Sequence, residues 1–449
     1  MQILQQILFV VATGITIWFF RKNILRIKRN IFLGKPLAIN DRPAERWSNV
    51  VLLALGQKKM FKKLVPAFFH FIIYASFIII NIEVLEIVLD GVFGTHRLFA
   101  PFLGGAYGVF ISTFEVLAAG VLLSCVAFLS RRHILMLPRF RKPEMKGWPS
   151  LDADIILYVE IVLMLAFLGM NAADLQLQAE GAAHYPQVGP FLISGLISGL
   201  FEGMATGSLV AIERVGWWAH ILGIFAFLNY IPYSKHLHIF LAFPNAYYAG
   251  LESQGKMDNM ASITNEVKAM MDPEAGTDED SGTDPDEVPS FGAKDVTELN
   301  WRHLLGAYSC TECGRCTSAC PANMTGKKLS PRKIMMDTRD RAAELGAYRE
   351  AHGAEAHDGK QLLSEDYISE EEIRACTSCQ ACVEACPVQI NPLSIILELR
   401  RYAVMEESNA PNQWNVMFGN IENNMAPWAF SPADRMNWAD ELQSEQKAT

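Results

Sequence analysis

One cysteine spacing occurs twice in the second half of this chain, and both copies read C-x2-C-x2-C-x3-C-P. The first copy comprises Cys310, Cys313, Cys316 and Cys320, and the second comprises Cys376, Cys379, Cys382 and Cys386. This spacing is typical of segments that bind cubane [4Fe–4S] clusters, because three closely spaced thiolates cap three irons from one loop. The fourth cysteine of such a run reaches the neighbouring cluster in two-cluster proteins. The sequence therefore predicts two cubanes.

The predicted ligands cross over between the two runs. One set is Cys310, Cys313, Cys316 and Cys386, and the other is Cys376, Cys379, Cys382 and Cys320. A zinc site and structural disulfides are the alternatives, but two identical four-cysteine runs, each closed by a proline, are unusual for either. The ninth cysteine, Cys125, lies in an apolar stretch and is predicted to be a small buried hydrophobe.

The first 245 residues are predicted to form a membrane domain with five spans. Each span approaches the roughly 20 apolar residues that a bilayer core requires. The predicted spans lie at about 3–20, 64–89, 107–129, 153–173 and 214–235. The segment 190–212 is also apolar, but a sixth span would carry the cysteines to the opposite side of the membrane. We therefore predict that this segment is a helix packed on the outer face of the bundle.

The distribution of basic residues predicts the orientation of the spans. Twelve Lys and Arg residues lie between positions 21 and 63 and six between 131 and 146, whereas residues 174–213 contain none. Because Lys and Arg are enriched in cytoplasmic loops, both basic loops are predicted to be cytoplasmic. The chain is then expected to be a multi-pass protein of a bacterial or archaeal inner membrane. Its cluster domain would face the cytoplasm, where thiols stay reduced.

The remainder of the chain changes composition twice. Residues 246–294 are predicted to be a flexible linker, since the stretch 272–289 carries eight acidic residues and no basic one. Residues 295–405 are predicted to be the cluster domain, and residues 406–449 a tail with scattered aromatics that either packs back on this domain or covers a partner. The predicted fold class is an all-α five-helix membrane bundle followed by a mainly α-helical two-[4Fe–4S] ferredoxin-like domain. The sequence shows no basic surface with interleaved aromatic residues, so nothing in it indicates nucleic-acid binding.

Histidines of the membrane half form a second candidate site. Haem b in a helix bundle requires two imidazoles from facing helices at a similar depth, and His70 and His238 are the predicted pair. His220 precedes His238 by eighteen residues, or five helical turns, which places both on one helix face and His236 on the other. His220 and His96 are candidates for a second haem. Histidines satisfied by backbone or water remain the alternative interpretation.

Four carboxylates lie within the predicted spans: Glu83, Glu86, Glu115 and Glu160. Charged groups at this depth are costly unless they serve protons, a ligand or an opposite charge. Quinone-linked proton uptake, solvation at the level of the membrane interface and pairing with Arg97 are the interpretations that the sequence leaves open.

Both halves resemble known families. FFHFII around His70 and IPYSKHLHIFLAFPN around His238 resemble the cytochrome b (gamma) subunit of respiratory nitrate reductases. CTECGRCTSACPANMTGKKLSPRK and CTSCQACVEACPVQI resemble iron–sulfur oxidoreductases related to heterodisulfide reductase and to the sulfite-reduction-associated membrane complex. Fusions of the two modules form a family of membrane iron–sulfur oxidoreductases, and the resemblance covers nearly the whole chain.

Two departures from these families affect the expected chemistry. In the nitrate reductase pattern the second span has another histidine ten residues after the first, and here that position is Ile80. Many relatives also carry cysteine-rich CCG modules, whereas this sequence has no cysteine after Cys386. The resemblance therefore implies that the substrate-converting site lies on another polypeptide.

The predicted function is that of a membrane-bound electron-transfer subunit of a quinone-linked oxidoreductase. Electrons would move between a cytoplasmic redox partner, two [4Fe–4S] clusters, haem b and a membrane quinone. The expected partners are membrane lipid, quinone and one or more cytoplasmic redox subunits, a CCG-module protein among the candidates, in a hetero-oligomeric complex. Two alternatives remain: a subunit of a complex that reduces heterodisulfides or sulfur compounds, and a noncatalytic anchor without a quinone site of its own.

Overall fold

The computed structural model describes residues 2–253, 255–257, 259–271 and 291–448. These residues are mostly helical; they contain no β-strand, only two isolated bridges, Lys35–Asn300 and Leu363–Ile368. Five helices are long and apolar enough to cross a membrane, as the sequence predicts. The acidic stretch 272–289 of the predicted linker lies outside the described residues.

The first half of the chain contains nine α-helices in its described part. They are α1 (Gln2–Ile31), α2 (Pro43–Asn49), α3 (Leu64–Phe93), α4 (Ala100–Leu103), α5 (Tyr107–His133), α6 (Trp148–Ala179), α7 (Ser194–Ile197), α8 (Thr206–Tyr230) and α9 (His238–Tyr247). The five candidate spans are Ile3–Ile31, Leu64–Phe93, Ala100–His133, Trp148–Ala179 and Thr206–Tyr233. Helices suit this role because their backbone hydrogen bonds are satisfied within the segment.

The five spanning helices pack in chain order around a ring. Each of α1, α3, α5, α6 and α8 contacts the next, and α8 returns to contact α1. Side chains such as Phe114, Phe167 and Ile221 fill the interior, while Ile7 and Leu123 remain exposed on the outer surface. This distribution suits a bundle surrounded by lipid, because exposed apolar side chains cost little there.

The segment 190–212 differs from its prediction as one helix. It contains only the short α7 and a 3₁₀ turn, Ser198–Phe201, before α8 begins at Thr206. Glu202 and Ala205 are extended and Gly203 has a φ of 76°, so the helical backbone is interrupted at these residues. The first half of the segment therefore consists of short helical turns, and the second half begins the fifth span.

The fifth span also ends differently from the prediction. The α8 helix stops at Tyr230, a 3₁₀ turn follows, and Ser234 is extended with φ −117° and ψ 153°. Asp152 fixes this break because one carboxylate oxygen accepts the backbone N–H of Lys235 at 3.0 Å. The prediction that His220 and His238 lie on one face of a continuous helix is therefore wrong, because the helix ends between them.

The second half of the chain contains ten further α-helices in its described part. They are α10 (Ala261–Met271), α11 (Trp301–Tyr308), α12 (Arg315–Ala319), α13 (Pro321–Met324), α14 (Pro331–His352), α15 (Glu370–Ala375), α16 (Ala381–Ala385), α17 (Pro392–Arg401), α18 (Asn412–Asn424) and α19 (Asn437–Ala448). Two compact units result. The described residues of 1–257 and 296–395 form the first unit, and those of 258–295 and 396–449 form the second.

The second unit is held by contacts between the short segment 291–295 and the end of α17. The Ala293 amide donates to the Glu398 carbonyl at 3.1 Å, and the Lys294 ammonium lies 5.6 Å from the centre of the Tyr402 ring. Gly292 has a φ of 75°, and a Cβ there would overlap the backbone of α17. Aromatics of the predicted tail, including Phe418, are exposed.

Inside the first unit, the membrane helices and the cysteine-containing segments are in direct contact. The Asn30 amide donates to the Tyr308 hydroxyl at 3.0 Å, and the Asn245 amide donates to the Val388 carbonyl at 2.6 Å. Arg332 is fully buried and donates to Glu144 Oε1 at 2.7 Å and to the Arg139 carbonyl at 2.8 Å. Arg332 also donates to the Glu312 carbonyl at 3.4 Å, so this side chain joins the loop between α5 and α6 to the first cysteine run.

Replacement of Arg332 by Met is expected to lower the free energy of unfolding by about 3–5 kcal/mol, because it leaves a partly buried carboxylate without its cation. Thermal unfolding of the purified protein in detergent measures the change. Lys328→Ala is the matched control, since its contacts with Glu365 and Glu371 are exposed and 3.6–3.7 Å long. That control should cost at most about 1 kcal/mol. Equal losses from both variants would contradict the structural role of Arg332.

Candidate cofactor sites

The two cysteine runs adopt the same backbone conformation. The residue before each second cysteine, Glu312 or Ser378, has a positive φ (53° and 54°), and the residue after it, Gly314 or Gln380, does too (70° and 60°). Each run then enters a short helix, α12 or α16, and these two helices pack against each other. The repeated left-handed residues wrap each loop tightly around one point.

The fourth cysteine of each run ends its short helix in an extended conformation. Cys320 has φ −77° and ψ 117°, and Cys386 has φ −76° and ψ 122°. A proline follows each of them and disfavours helical backbone at the residue before it. The sequence Cys-Pro thus turns the chain at equivalent positions and directs the fourth thiol away from its own loop.

The structure groups the thiols across the two runs. Burial raises the pKa of the Cys310 thiol to about 12, and its neighbours Cys313 and Cys386 act in the same direction. Burial likewise raises the pKa of Cys382 to about 12, and Cys376 and Cys320 add to it. Cys386 thus lies near Cys310, and Cys320 lies near Cys382.

These thiols suit clusters better than single ions. In the part of the chain that the structure describes, no three His, Cys, Asp or Glu side chains converge on one metal ion. A tetrahedral zinc needs four ligands around one centre, whereas each thiolate of a cubane binds a different iron. Backbone amides also approach the sulfurs: Ser378 N lies 3.4 Å from Cys376 Sγ, and Ile390 N lies 3.3 Å from Cys386 Sγ. The donor set therefore fits two [4Fe–4S] clusters.

His70 and His238 face each other in the first unit. Their ring centroids are 6.5 Å apart, with 41° between the ring planes. His70 Nδ1 lies 3.1 Å from Gln57 Oε1, and His238 Nδ1 lies 3.0 Å from the Lys235 carbonyl. Hydrogen bonds at Nδ1 orient both rings and leave each Nε2 available as a metal ligand.

The spacing of the two rings suits a shared iron. Metal–imidazole bonds of about 2.0–2.1 Å, with a further 1.1 Å or so from each nitrogen to its ring centre, give a centroid separation of about 6.3 Å. The observed 6.5 Å is close to this value. His236 packs against the Phe227 ring at 5.3 Å and the His238 ring at 5.7 Å. The residues present therefore fit a bis-histidine haem held by His70 and His238.

Two short paths connect this histidine pair to the first cysteine run. Glu312, next to Cys313, accepts a hydrogen bond from Lys235 Nζ at 2.5 Å, and the Lys235 carbonyl orients His238. Arg315, next to Cys316, donates to the Lys59 carbonyl at 3.5 Å, two residues from the Gln57 that orients His70. The first run thus contacts Lys235, which orients His238, and Lys59, which lies two residues from the Gln57 that orients His70.

Glu312 is ionised in this position because cations surround it. Burial alone would raise its pKa, but the charges of Lys235 and Arg339 hold the pKa of this carboxyl below its ordinary value. The distances are 2.5 Å to Lys235 Nζ and 2.7 Å to Arg339 Nη1. This three-residue ion network keeps the loop before Cys313 rigid against the membrane helices.

The structure does not bring His96 to His220. The buried His220 ring has its Nδ1 2.9 Å from the Leu163 carbonyl of α6. His96 instead lies 3.5 Å from the Asp174 carboxylate and 3.4 Å from Arg214 Nη2. Leu163 and Asp174 are eleven residues apart on one helix, or about 16 Å. The two histidines therefore sit at different depths.

Carboxylates of the membrane helices belong to a buried polar network. Arg97 donates from Nε to Asp174 at 2.7 Å and from Nη2 to Asn171 at 3.0 Å. Glu86 accepts from the Tyr107 hydroxyl at 2.8 Å, and Glu115 accepts from Asn171 at 3.1 Å. The principal partner of Arg97 is thus Asp174, which is not among the four carboxylates that the sequence singles out.

Several site residues carried no clear signal in the sequence. Lys235 and Gln57 orient the candidate haem ligands through tertiary hydrogen bonds that no local spacing reveals. Glu312 and Arg315 lie inside the first cysteine run, where the matching residues of the second run are Ser378 and Ala381. Comparison of the two runs at these positions was the available signal.

Comparison with known proteins supports an iron–sulfur domain. Residues 309–390 match the family model of the 4Fe-4S dicluster domain. The probable iron-sulfur-binding oxidoreductase FadF of Bacillus subtilis is 28% identical over 97% of this chain and 61% of its own length. The EtfAB:quinone oxidoreductase of Syntrophomonas wolfei is 26% identical over 90% of this chain and 55% of its own length. This chain thus spans less than two thirds of both relatives.

A third relative matches a shorter part of the chain. It is one of the subunits of the ferredoxin/F(420)H(2)-dependent CoB-CoM heterodisulfide reductase of Methanosarcina acetivorans, and it is 36% identical over 25% of this chain and 56% of its own length. No solved structure matches the chain. The chain is therefore related to iron–sulfur oxidoreductases, heterodisulfide reductase subunits among them, and carries a 4Fe-4S dicluster domain after its membrane helices.

Proposed function

We propose that this protein is the membrane electron-transfer subunit of a quinone-linked oxidoreductase. Electrons pass between a redox partner, two [4Fe–4S] clusters, haem b at His70 and His238, and a membrane quinone. The observation that carries the proposal is that the first cysteine run contacts Lys235 and Lys59, which lie beside the histidine pair in the chain, through Glu312 and Arg315. A rigid contact of this kind holds two electron carriers at a fixed short distance.

The bound groups would supply the one-electron chemistry, and the protein would supply spacing and orientation. Lys235 and Gln57 hold the imidazole rings, and the two cysteine loops hold the clusters through thiolates and backbone amides. The buried network around Arg97 and Glu115 is our candidate for proton movement coupled to quinone chemistry.

The relatives favour quinone as one terminus. The Syntrophomonas wolfei relative, an EtfAB:quinone oxidoreductase, makes EtfAB the first donor to test. The heterodisulfide reductase relatives support a second candidate function, namely a subunit of a complex that reduces heterodisulfides or sulfur compounds. The resemblance to nitrate reductase gamma supports the haem rather than either substrate. The substrate-converting site would lie on a partner subunit.

The charge distribution supports a cytoplasmic cluster domain in a bacterial or archaeal inner membrane. Basic residues of the two predicted cytoplasmic loops contact acidic and polar residues of the cluster region. The contacts include Arg29 with Glu350 at 3.0 Å and Lys142 with Asn323 at 2.9 Å. Lys62 pairs with Glu384 in the same region. Because the basic loops mark the cytoplasmic side, the clusters would lie there too.

Purification from the native membrane, followed by mass spectrometry of the proteins that accompany this chain, tests the proposal. A redox subunit that copurifies and supports quinone reduction through the haem would be the expected result. An isolated chain that turns over donor and quinone unaided at the full rate would replace the relay subunit by a self-contained enzyme. A complex without quinone reduction or haem would favour the noncatalytic anchor.

Deletion of residues 410–449 is expected to leave haem and iron content unchanged and to uncouple quinone reduction from the partner. The reason is that exposed aromatics of this tail, among them Phe418, Trp428, Phe430 and Trp438, are suited to anchor an interface. Donor-dependent quinone reduction by the complex measures the effect. Replacement of these four by Ala should reproduce it, and the polar control Asn420→Ala should not. Full coupled activity in the deletion would exclude the tail as the docking site.

A further inference from the structure

Three basic side chains surround the first cysteine run, and we call Lys59, Arg139 and Arg315 the cation triad. Arg315 lies within the run, is 9% exposed and donates to the Lys59 carbonyl at 3.5 Å. The Arg139 Cβ is 3.5 Å from the point where a side chain at Gly314 would begin. All three cations therefore lie beside residues that adjoin the ligands of one cluster.

The cation triad lacks sufficient negative charge in the protein itself. Lys59 Nζ and Arg139 Nε are buried and have no hydrogen-bond partner. The carboxylate that pairs with Lys59 is Glu384, at 3.8 Å, and Glu384 also pairs with Lys62. Glu312 is already engaged by Lys235 and Arg339. Lys59 thus has only one long, shared carboxylate contact and Arg139 Nε has no hydrogen bond, which indicates that a further negative group belongs beside them.

Like charges crowd this region. Burial and then the charges of Arg139, Arg315 and Arg131 lower the pKa of Lys63, while Cys313 acts in the opposite direction. The pKa of Arg139 is lowered in the same way by burial, and again Cys313 opposes the shift. A [4Fe–4S] cluster with four thiolate ligands is negative, and it becomes more negative on reduction. Such a cluster is the partner that these cations lack.

The second cysteine run has a different environment. Ala381 occupies the position that matches Arg315, and Cys379 is exposed. The basic residue nearest to this run in sequence, Arg374, is paired with Glu370 at 3.2 Å. The second cluster would therefore lie beside solvent and the neutral Ala381, whereas the first cluster would lie beside the buried cation of Arg315.

We infer that the cation triad makes the first cluster the electron acceptor of the pair, so that electrons enter at the exposed second cluster and collect beside His70 and His238. This inference rests on the proposed two-cluster relay and adds a direction to it. In each step one electron leaves the second cluster, which is oxidised, and reduces the first cluster. No bond is made or broken. The redox partner subunit supplies the electron, and the haem and quinone receive it.

Electrostatics gives the sign of the difference. The reduced form of a cluster carries one more negative charge than the oxidised form, so a nearby cation stabilises the reduced form more. Cluster potentials respond to net charge, hydrogen bonds to sulfur and solvent exposure. Exposure at Cys379 also favours the reduced form of the second cluster, but water screens there, whereas the triad acts inside the protein. The first cluster should thus hold the higher potential.

A redox titration of the full-length protein, followed by EPR, tests the inference. Cys379→Ser removes the second cluster and so identifies the signal of the first. In the otherwise native protein the first cluster should be reduced before the second. Arg315→Gln should lower the reduced-to-oxidised ratio of the first cluster at a fixed potential by about tenfold, which is about 59 mV for a one-electron couple. The reduction potential of the second cluster should shift less.

The controls separate charge from structure. Arg141→Gln removes a positive charge from an exposed position in the same loop as Arg139 and should leave both potentials unchanged. Arg315→Lys should keep most of the native reduction potential of the first cluster. Arg139→Gln should lower that potential as Arg315→Gln does. The inference is overturned if the second cluster is reduced first, or if both glutamine variants leave the first cluster unchanged. A native protein with only about four irons would overturn the proposed function itself.

Discussion

Replacement of His70 or of His238 by Ala is expected to abolish the b-type haem absorbance of this protein. Each substitution removes one of two opposed imidazoles whose centroids are 6.5 Å apart. A haem iron held by one remaining histidine would lose an axial ligand, and the bundle would retain the group poorly. Reduced-minus-oxidised spectra of purified protein, together with extracted haem content, measure the loss. Iron in clusters should stay unchanged.

His236→Ala is the matched control for this experiment. The side chain lies 5.7 Å from the His238 ring, but it packs against Phe227, and its backbone amide donates to Ser234 Oγ at 3.1 Å. We expect that variant to keep its haem. If His236→Ala bleaches the spectrum and His238→Ala does not, the assignment of the axial ligand is wrong. His220→Ala should reduce haem content only if a second haem is present.

The histidine pair was predictable in its members but not in its geometry. Depth relative to Lys63 and Lys235 indicated that His70 and His238 lie at one level, and this required only the positions of charged residues. The helical periodicity counted from His220 does not extend to His238. The Asp152 carboxylate of α6 accepts a hydrogen bond from the Lys235 amide, and the helix is broken at this point. Such a break depends on a residue 83 positions away, so no local pattern contains it.

The membrane network shows the same limit. Apolar length and composition predict the five spans, because the bilayer imposes one requirement on each of them. Pairing between polar residues of different helices depends on rotation and depth, which composition leaves open. Pairing of Arg97 with Glu83, Glu86, Glu115 or Glu160 was one open interpretation, yet the Arg97 side chain pairs with Asp174. The cysteine runs are the opposite case, since ligand spacing and loop geometry lie in adjacent residues.

Substitution of Cys316 by Ser is expected to lower the iron content from about eight to about four atoms per chain, because three loop thiolates are needed to hold one cubane. Cys386→Ser should remove the same cluster as Cys316→Ser, although it lies in the other run. Cys320→Ser should remove the other one. Iron analysis after anaerobic reconstitution measures the number of irons, and EPR of the reduced protein shows which cluster remains. The spectral interaction between two reduced clusters should disappear in all three variants.

The pairing of variants makes this experiment specific for the crossed ligand sets. Cys386→Ser and Cys316→Ser should leave one identical EPR signal, that of the cluster at Cys376, Cys379, Cys382 and Cys320. Uncrossed ligation would instead pair Cys386→Ser with Cys379→Ser. Cys125→Ser is the control, because this buried cysteine lies among the membrane helices and should not affect iron content. Bound zinc in place of iron, or about four irons in the native protein, would contradict the two-cluster assignment.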